Sequence, residues 1–571
     1  MSKRVALILV VAFVTAAVAL FVLKPETGVP DDAPSQSAMA RSVGGPIMEH
    51  IQRGNVPGRS GEIYLVPKPH NFLIGEWDLT TLGTEKPTTS TSHPNPWNYL
   101  TKVPIVLWGP GYVGARGQVD KRQVDIADLA PTIAEVLGMD LSPYEGEPLI
   151  GAPRTKPPKV IFTVIIDGGG WNALEYHSQT WPNIRRLMET GITYTNATIG
   201  SAPSITGALH ATMGTGVYPD EHGIPGNQMR GDDGKNTDTW LQDADPRYLQ
   251  VPTVSELWDE STDNKAIVGT VSYEGWHLGM IGHGAQRDGG DRDLAALWEA
   301  EENAWWINED YYELPSFLQS TDLGLLERYE SELDERDGLV DDTWFGHTLE
   351  ELQEDLIRPG TPAFARFTGD AVVETLAEEG FGADDITDIM WVEMKMPDYA
   401  GHAWNMTRPE QGDVIKETDA QIGRFIDVLD EVVGRDNYLF MLSADHGQQP
   451  FPDTYGGWRI NNKELERDIE QRFGNVIEKV TPVDIYLDVE ALEDSGYTAD
   501  DLARYIGTYT IGDNIPDGAA GEDLVPEGRL DESLFAGAFT TDFIQSLTGS
   551  QIDDMGSGDY EEGDLTKEGR V

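Results

Sequence analysis

The sequence predicts an α/β fold with a mostly parallel central sheet. Three short apolar runs carry this expectation: residues 160–166, 386–396 and 438–442 read as strands buried on both faces. Each leads into acidic or imidazole residues, namely Asp167, Asp398 and the pair Asp445-His446. The second observation is helical periodicity between them. Residues 182–190 read as a helix stopped by Gly191, and residues 414–433 place Val414, Ile415, Ile422, Phe425, Ile426, Leu429 and Val433 on one face. Strands joined through helices pair in parallel, so their carboxyl ends gather on one sheet edge, where ligands bind.

Composition supports a large core. The 571 residues are 39% hydrophobic and 9% aromatic, with 15 Trp, which is a globular composition and not a disordered one. Asp and Glu number 98 against 41 Lys and Arg, a formal charge of −57. The acids are spread along the chain, and such a surface repels nucleic-acid backbones, so no nucleic-acid-binding surface is expected. It suits the acidic proteome of a high-salt organism, where salt screens self-repulsion; a merely acidic bacterial enzyme is the alternative. There is no Cys, which excludes disulfides, thiolate metal sites and a Cys nucleophile.

Residues 5–23 are apolar except for Thr15, follow Lys3 and Arg4, and precede Asp31 and Asp32. That run is long enough to span a bilayer, and its flanking charges place the rest of the chain outside the cytoplasm. Residues 1–27 are therefore expected to be a membrane anchor. A cleaved signal, cut at Ala17-Val18-Ala19 or Ala38-Met39-Ala40, would leave a secreted protein instead. Residues 28–42, rich in Pro, Ser and Asp, read as a linker, and residues 546–571, rich in Gly and acids, as a disordered tail.

Carboxylate and imidazole together suit zinc or a similar divalent ion. Asp398-x-x-x-His402 places them four residues apart, Asp445-His446 sets them side by side, and Asp167 follows its strand. Any one such pair is commonly a surface or capping feature, but three at strand ends are harder to dismiss. The segment from Ser201 to Ile224 is more specific. Thr206 precedes a short helical stretch closed by Gly216, followed by Tyr218-Pro219 and His222-Gly223. Thr206 could be a helix N-cap. It could also be a nucleophile, its phosphorylated form resting on free helix N–H groups and its hydroxyl activated by a metal.

Asp167, Thr206 before Ala-Leu-His-Ala-Thr, Tyr218-Pro219-x-x-His222-Gly223-Ile224, Asp398-x-x-x-His402 and Ser443-Ala-Asp445-His446-Gly447 together resemble the alkaline phosphatase superfamily. The nearest branch is that of the nucleotide pyrophosphatase/phosphodiesterases and the related Thr-dependent alkaline phosphatases. The resemblance implies a three-layer α/β/α sandwich with inserted cap segments, here about 230–365 and 460–530 of a main domain spanning 154–545. It implies a small phosphoester substrate and two-step phosphoryl transfer through phospho-Thr206. It also implies two divalent metal ions, best suited by zinc with manganese as an alternative. One ion falls to Asp167, Thr206, Asp445 and His446; the other to Asp398, His402 and one further His.

In the family that last His lies late in the chain, yet no His follows His446 here. Residues 60–69, 91–99, 103–111 and 125–133 instead resemble the family's closing strands, ligand loop and helix. Residues 43–153 are thus expected to be a circularly permuted C-terminal part, with His93 as the missing ligand and with the strands near 63–67 and 103–108 in the same sheet as 160–166. Asn227 matches an Asn that contacts phosphoryl oxygens in some Thr-dependent phosphatases. Tyr273 and Gly275 stand where monoesterases of the family carry a Lys and an Arg, so the basic clamp for a dianionic monoester is missing there. This favours phosphodiesters or pyrophosphates. An alkaline phosphomonoesterase is the alternative, and a catalytically inactive surface-binding protein a further one. Oligomeric state and natural substrate are not legible.

Overall fold

The computed structural model describes residues 28–560, apart from 84–90, 114–116, 154–155, 242 and 355–356. The expected anchor at 1–27 and the stretch 561–571 lie outside the described residues. Among the described residues, no helix is long and apolar enough to cross a membrane.

In chain order, the elements that position the site begin with helices α1 (Gln36–Val43) and α2 (Gly45–Gly54). Strands β1 (Ile63–Pro67), β2 (Lys102–Trp108) and β3 (Gln118–Asp120) follow, then helix α3 (Leu129–Leu137). Next come β4 (Val160–Ile166), α4 (Pro182–Thr190), β5 (Ile192–Thr198) and α5 (Thr206–Thr215). The chain continues through β6 (Val268–Val271), β7 (Asp293–Glu299), β8 (Ala304–Trp306) and α6 (Pro362–Glu378). Then come β9 (Asp388–Met394), α7 (Met396–Trp404), α8 (Pro409–Leu429) and β10 (Tyr438–Ser443). It ends with β11 (Ile477–Val480), β12 (Asp484–Leu487), β13 (Phe535–Thr540) and α9 (Gly549–Asp553).

The central sheet has 11 strands, with β8-β7-β6-β9-β4-β10-β2-β5-β3 along its main path. The run β7-β6-β9-β4-β10 is parallel throughout. Strand β2 enters antiparallel between β10 and β5, and β8 caps the far edge antiparallel. Every residue of β4 is buried, as expected for a strand covered on both faces. Its alternation divides two cores: Val160, Phe162, Val164 and Ile166 pack with the α6 and α8 side, Ile161 and Ile165 with the α3 and α5 side. Helices on both faces of the sheet make the three-layer α/β/α sandwich.

The segment 43–153 is not a separate domain, because β2 pairs residue by residue with β10 from Ile105↔Ser443 to Trp108↔Phe440. The expectation that β1 would join the same sheet fails. It lies instead in a second, four-stranded antiparallel sheet, β11-β12-β1-β13, with its own core. The supposed cap segments are likewise part of the framework: β6 and β7 belong to the central sheet, and β11 and β12 to the second.

The linker and tail assignments also need correction. Residues 36–43 form α1, because the Ser35 hydroxyl caps Ala38 N and because Met39, Ala40 and Val43 share a buried stripe. Its Gln36 side chain pairs with Thr540 of β13. Residues 549–553 form α9, begun by a Thr548–Gln551 capping box, and Gly556 O accepts from Gly45 N at 2.8 Å. The two ends of the described chain are thus packed together, and Gln52 Nε2 donates to Ile544 O and Leu547 O.

Helix α2 ends against the loop that leads to Thr206. A Cβ on Gly54 would lie 1.6 Å from the Ala202 carbonyl oxygen. Gly54→Ala should therefore force backbone apart and destabilise the protein by roughly 1–3 kcal/mol or more. A thermal midpoint equal to wild type would contradict this close approach.

Candidate metal centre

The metal-ligand candidates singled out in the sequence meet at the carboxyl edge of the central sheet, whereas Tyr218 bonds to Asp125 and His222 to Thr212. Asp167 follows β4, Asp445 and His446 follow β10, and Gly168 N ties the two loops by donating to Asp445 Oδ1 at 3.1 Å. Gly168 has φ +68 and lies against the Gln448 side chain, so a side chain there would be strained as well as crowded. Asp398 and His402 were expected at the end of a strand. The strand stops at Met394 and both sit on α7, one turn apart, because Pro397 in the first turn starts a helix.

One group contains His446, whose Nε2 lies 3.2 Å from Asp167 Oδ1 and 3.1 Å from Asp445 Oδ2. The other contains Asp398, with His93 Nε2 3.3 Å from Oδ1 and His402 Nε2 3.3 Å from Oδ2. The two groups are contiguous, since the rings of His93 and His446 stack with centroids 3.4 Å apart. The far nitrogens of the histidines are held by backbone: His93 Nδ1 pairs with Ser204 O at 2.7 Å, His446 Nδ1 with Gly447 O at 2.9 Å, and His402 Nδ1 with Thr91 O. These contacts fix each ring and point its Nε2 inward, as backbone partners of metal-ligating histidines do.

Thr206 is the first residue of α5, and Ile205 is its N-cap with no side-chain cap. The Thr206 hydroxyl is therefore not spent on capping. Asn227 Oδ1 accepts from Gly207 N at 2.8 Å, which leaves the amide NH2 as its donor toward the cleft that Asn227 lines. That cleft has a volume of about 890 Å³ and is lined by His93, Thr206, Asp398 and His402 among others.

Burial makes this charge arrangement informative. Asp167, Asp445 and His446 are fully buried. Burial pushes the Asp398 carboxyl up, but His402, Lys395 and His93 together hold it well below the usual range. Burial also pushes Asp167 up, and Lys395 reverses the shift to well below. His93 is lowered to about 4, first by burial and then by His446. Ionised carboxylates and a neutral imidazole are the forms that bind metal. Asp445 rises to about 6 through burial and repulsion from Asp167. Asp167 Oδ1, Asp445 Oδ2 and His446 Nε2 are buried without a hydrogen-bond partner. Converging orphaned donor atoms of this chemistry fit a divalent cation.

Sequence reasoning missed Lys395. Its ammonium is 2.9 Å from Asp167 Oδ2, 2.8 Å from Asp398 Oδ2 and 3.5 Å from Thr206 Oγ1. The one available signal was a charged residue between Met394 and Met396, at the end of a buried strand. Gln448, whose Nε2 donates to Asp398 Oδ1 at 2.9 Å, was also missed and left no signal of its own.

A family model described as type I phosphodiesterase / nucleotide pyrophosphatase matches residues 161–538. The chain belongs to this family. Among curated relatives, alkaline phosphatase PafA of Elizabethkingia meningoseptica is 26% identical over 418 residues, covering 63% of this chain and 75% of that protein. Alkaline phosphatase PhoV of Synechococcus elongatus is 24% identical over 336 residues, covering 52% and 60%. The crystal structure of wild-type PafA shares the fold, with a TM-score of 0.52 at 22% identity over 61% of this chain and 76% of that one. The family member described here is a hydrolase acting on phosphoric ester bonds, of the alkaline phosphatase superfamily. Divalent metals serve this superfamily, and the side chains His93, Asp398 and His402, with Asp167, Asp398 and His446, are grouped closely enough to hold them.

Proposed function

We propose that this chain is an extracytoplasmic phosphodiesterase or pyrophosphatase that works through a phospho-Thr206 intermediate at a two-metal site. The observation that carries it is the gathering of six side chains, His93, Asp167, Asp398, His402, Asp445 and His446, about an uncapped threonine at a buried helix N-terminus. Asp167, Thr206, Asp445 and His446 form one metal position; Asp398, His402 and His93 form the other. Zinc fits these nitrogen and oxygen donors, and manganese is the competitor. Bound there, the ions would supply positive charge to acidify the Thr206 hydroxyl and to stabilise the leaving oxygen.

The chain's own groups do the rest. Thr206 Oγ1, its proton released to solvent, attacks phosphorus in line as the bond to the leaving oxygen breaks, and water then cleaves phospho-Thr206 to free the hydroxyl. Start-of-helix N–H groups of α5 other than that of Gly207, which is held by Asn227 Oδ1, donate to phosphoryl oxygens, as does the Asn227 NH2. Preference for diesters is supported by the missing basic clamp. Tyr273 is 5% exposed and packs on the rings of Phe364 and Tyr399, and Gly275 has no side chain to offer. The cleft also has apolar walls, among them Ile205, Trp276, Leu352 and Tyr399, which suit a second ester substituent. On bis-nitrophenyl phosphate kcat/KM should exceed that on nitrophenyl phosphate by about tenfold or more, since a monoester's extra charge meets no clamp at 273 and 275. The reverse order would support the second reading, a phosphomonoesterase, which Lys395 beside Thr206 and the alkaline phosphatase names of the relatives favour.

We read residues 43–153 as the family's late segment moved forward by circular permutation; the pairing of β2 with β10 and the contact of His93 with Asp398 support this reading, and packed chain ends make such a rearrangement tolerable. The location outside the cytoplasm rests on the apolar run at 5–23 and its flanking charges. Recovery of full-length protein in the membrane fraction, with activity on intact cells, would test it; activity only after lysis would refute it.

A further inference from the structure

The cleft floor carries a cation that the family motifs do not account for. Among the described residues lining the cleft, Lys395 alone is a lysine or arginine. It follows β9 directly and its side chain is 4% exposed. A buried ammonium is costly unless it is paired, and this one is paired twice, to Asp167 and to Asp398. Those two carboxylates belong to different metal positions, so the ammonium sits between them and faces the nucleophile at 3.5 Å from Oγ1.

A second layer holds it there. Glu274, flanked by Tyr273 and Gly275, is half-buried and receives the Tyr399 hydroxyl on Oε1 at 3.0 Å. The Tyr399 ring lies beneath the ammonium, its centroid 5.7 Å from Nζ. The strand-end segment that lacks a basic clamp thus contributes an acid instead, and the base comes from the neighbouring parallel strand's end. An attacked phosphorus stands about 3–3.5 Å from the nucleophile. A donor 3.5 Å from Oγ1 is therefore within reach of an oxygen on that phosphorus.

We propose that Lys395 is a catalytic residue whose ammonium donates to a non-bridging phosphoryl oxygen of substrate bound at Thr206, replacing the absent clamp and setting the level of monoester turnover. This rests on Thr206 being the nucleophile. The contact is worth more to a monoester, whose non-bridging oxygens carry an extra charge, than to a diester.

The test uses the full-length, metal-loaded enzyme with Lys395→Met and Lys395→Arg. In Lys395→Met, kcat/KM for nitrophenyl phosphate should fall at least about tenfold further than for bis-nitrophenyl phosphate, the scale of one charge-assisted hydrogen bond. Metal content should stay at the wild-type value, and Lys395→Arg should recover part of the monoester loss. Because both substrates are assayed on one preparation, the ratio is independent of how much protein folds. Equal losses on both substrates, or losses that follow metal content, would overturn the proposal and leave Lys395 a structural counter-ion. Wild-type enzyme inactive on both esters would instead sink the phosphoesterase reading itself, and a wild-type preference for monoesters would leave this proposal standing.

Discussion

Thr206→Ala should lower kcat by at least about 10³-fold on either ester while the protein keeps its metal, because the attacking oxygen is lost and nothing else in reach replaces it. Asp167, Asp445 and His446 remain after the substitution, and three protein ligands suffice for a hydrolytic zinc position. Single-turnover assays with metal analysis of the same sample check both halves. A phosphorylated residue trapped in acid should be present in wild type and missing in the variant. Turnover near the wild-type rate would mean that another group attacks, and the convergence around α5 would need a different explanation.

His93→Ala should have the next largest effect, and a different signature. His93 Nε2 and His402 Nε2 flank Asp398 at 3.3 Å each, so removing His93 leaves that position with two protein ligands. Metal content should drop from two ions toward one per chain, and activity should fall by about 10²- to 10⁴-fold, the several kcal/mol that an ion supplies to a developing leaving-group charge. Excess zinc should restore part of the activity, since Asp398 and His402 persist. Unchanged metal content with full activity would remove His93 from the site.

The catalytic edge was legible because its signals are local. An apolar β-branched run followed by Asp167, or by Asp445-His446, states both the strand and the place where it stops. Helix α5 announced itself by Thr206 at one end and Gly216 at the other, and Gly216 does adopt the left-handed conformation there, with φ 69. His93 was reachable only by comparing ligand sets with a family, since nothing near Thr91–Pro94 is metal-like in itself. Strand β1 was placed in the wrong sheet for a related reason. Five buried residues in a row say that a strand is covered, and say nothing about which neighbours cover it. Lys395 was hidden because its meaning depends on Asp167, over two hundred residues away in sequence. The linker assignment at 28–42 failed where composition outweighed a short signal, the Ser35 cap followed by Met39, Ala40 and Val43.

The antiparallel insertion of β2 between β10 and β5 sets a timetable for biosynthesis. Ser443 Oγ reaches Pro104 O across 339 residues of chain. At translation rates of about 5–20 residues per second, β2 emerges roughly 20–70 s before the strand that must lie beside it. Until then its apolar side chains and one row of unpaired backbone groups have no native partner on that side, an exposure that invites wrong pairing. The proposed metal positions assemble late, because His93 arrives early while Asp398, Asp445 and His446 arrive more than three hundred residues later. The full set of candidate ligands can therefore assemble only near the end of synthesis: a product truncated before β10 would keep His93, Asp398 and His402 but lack Asp445 and His446.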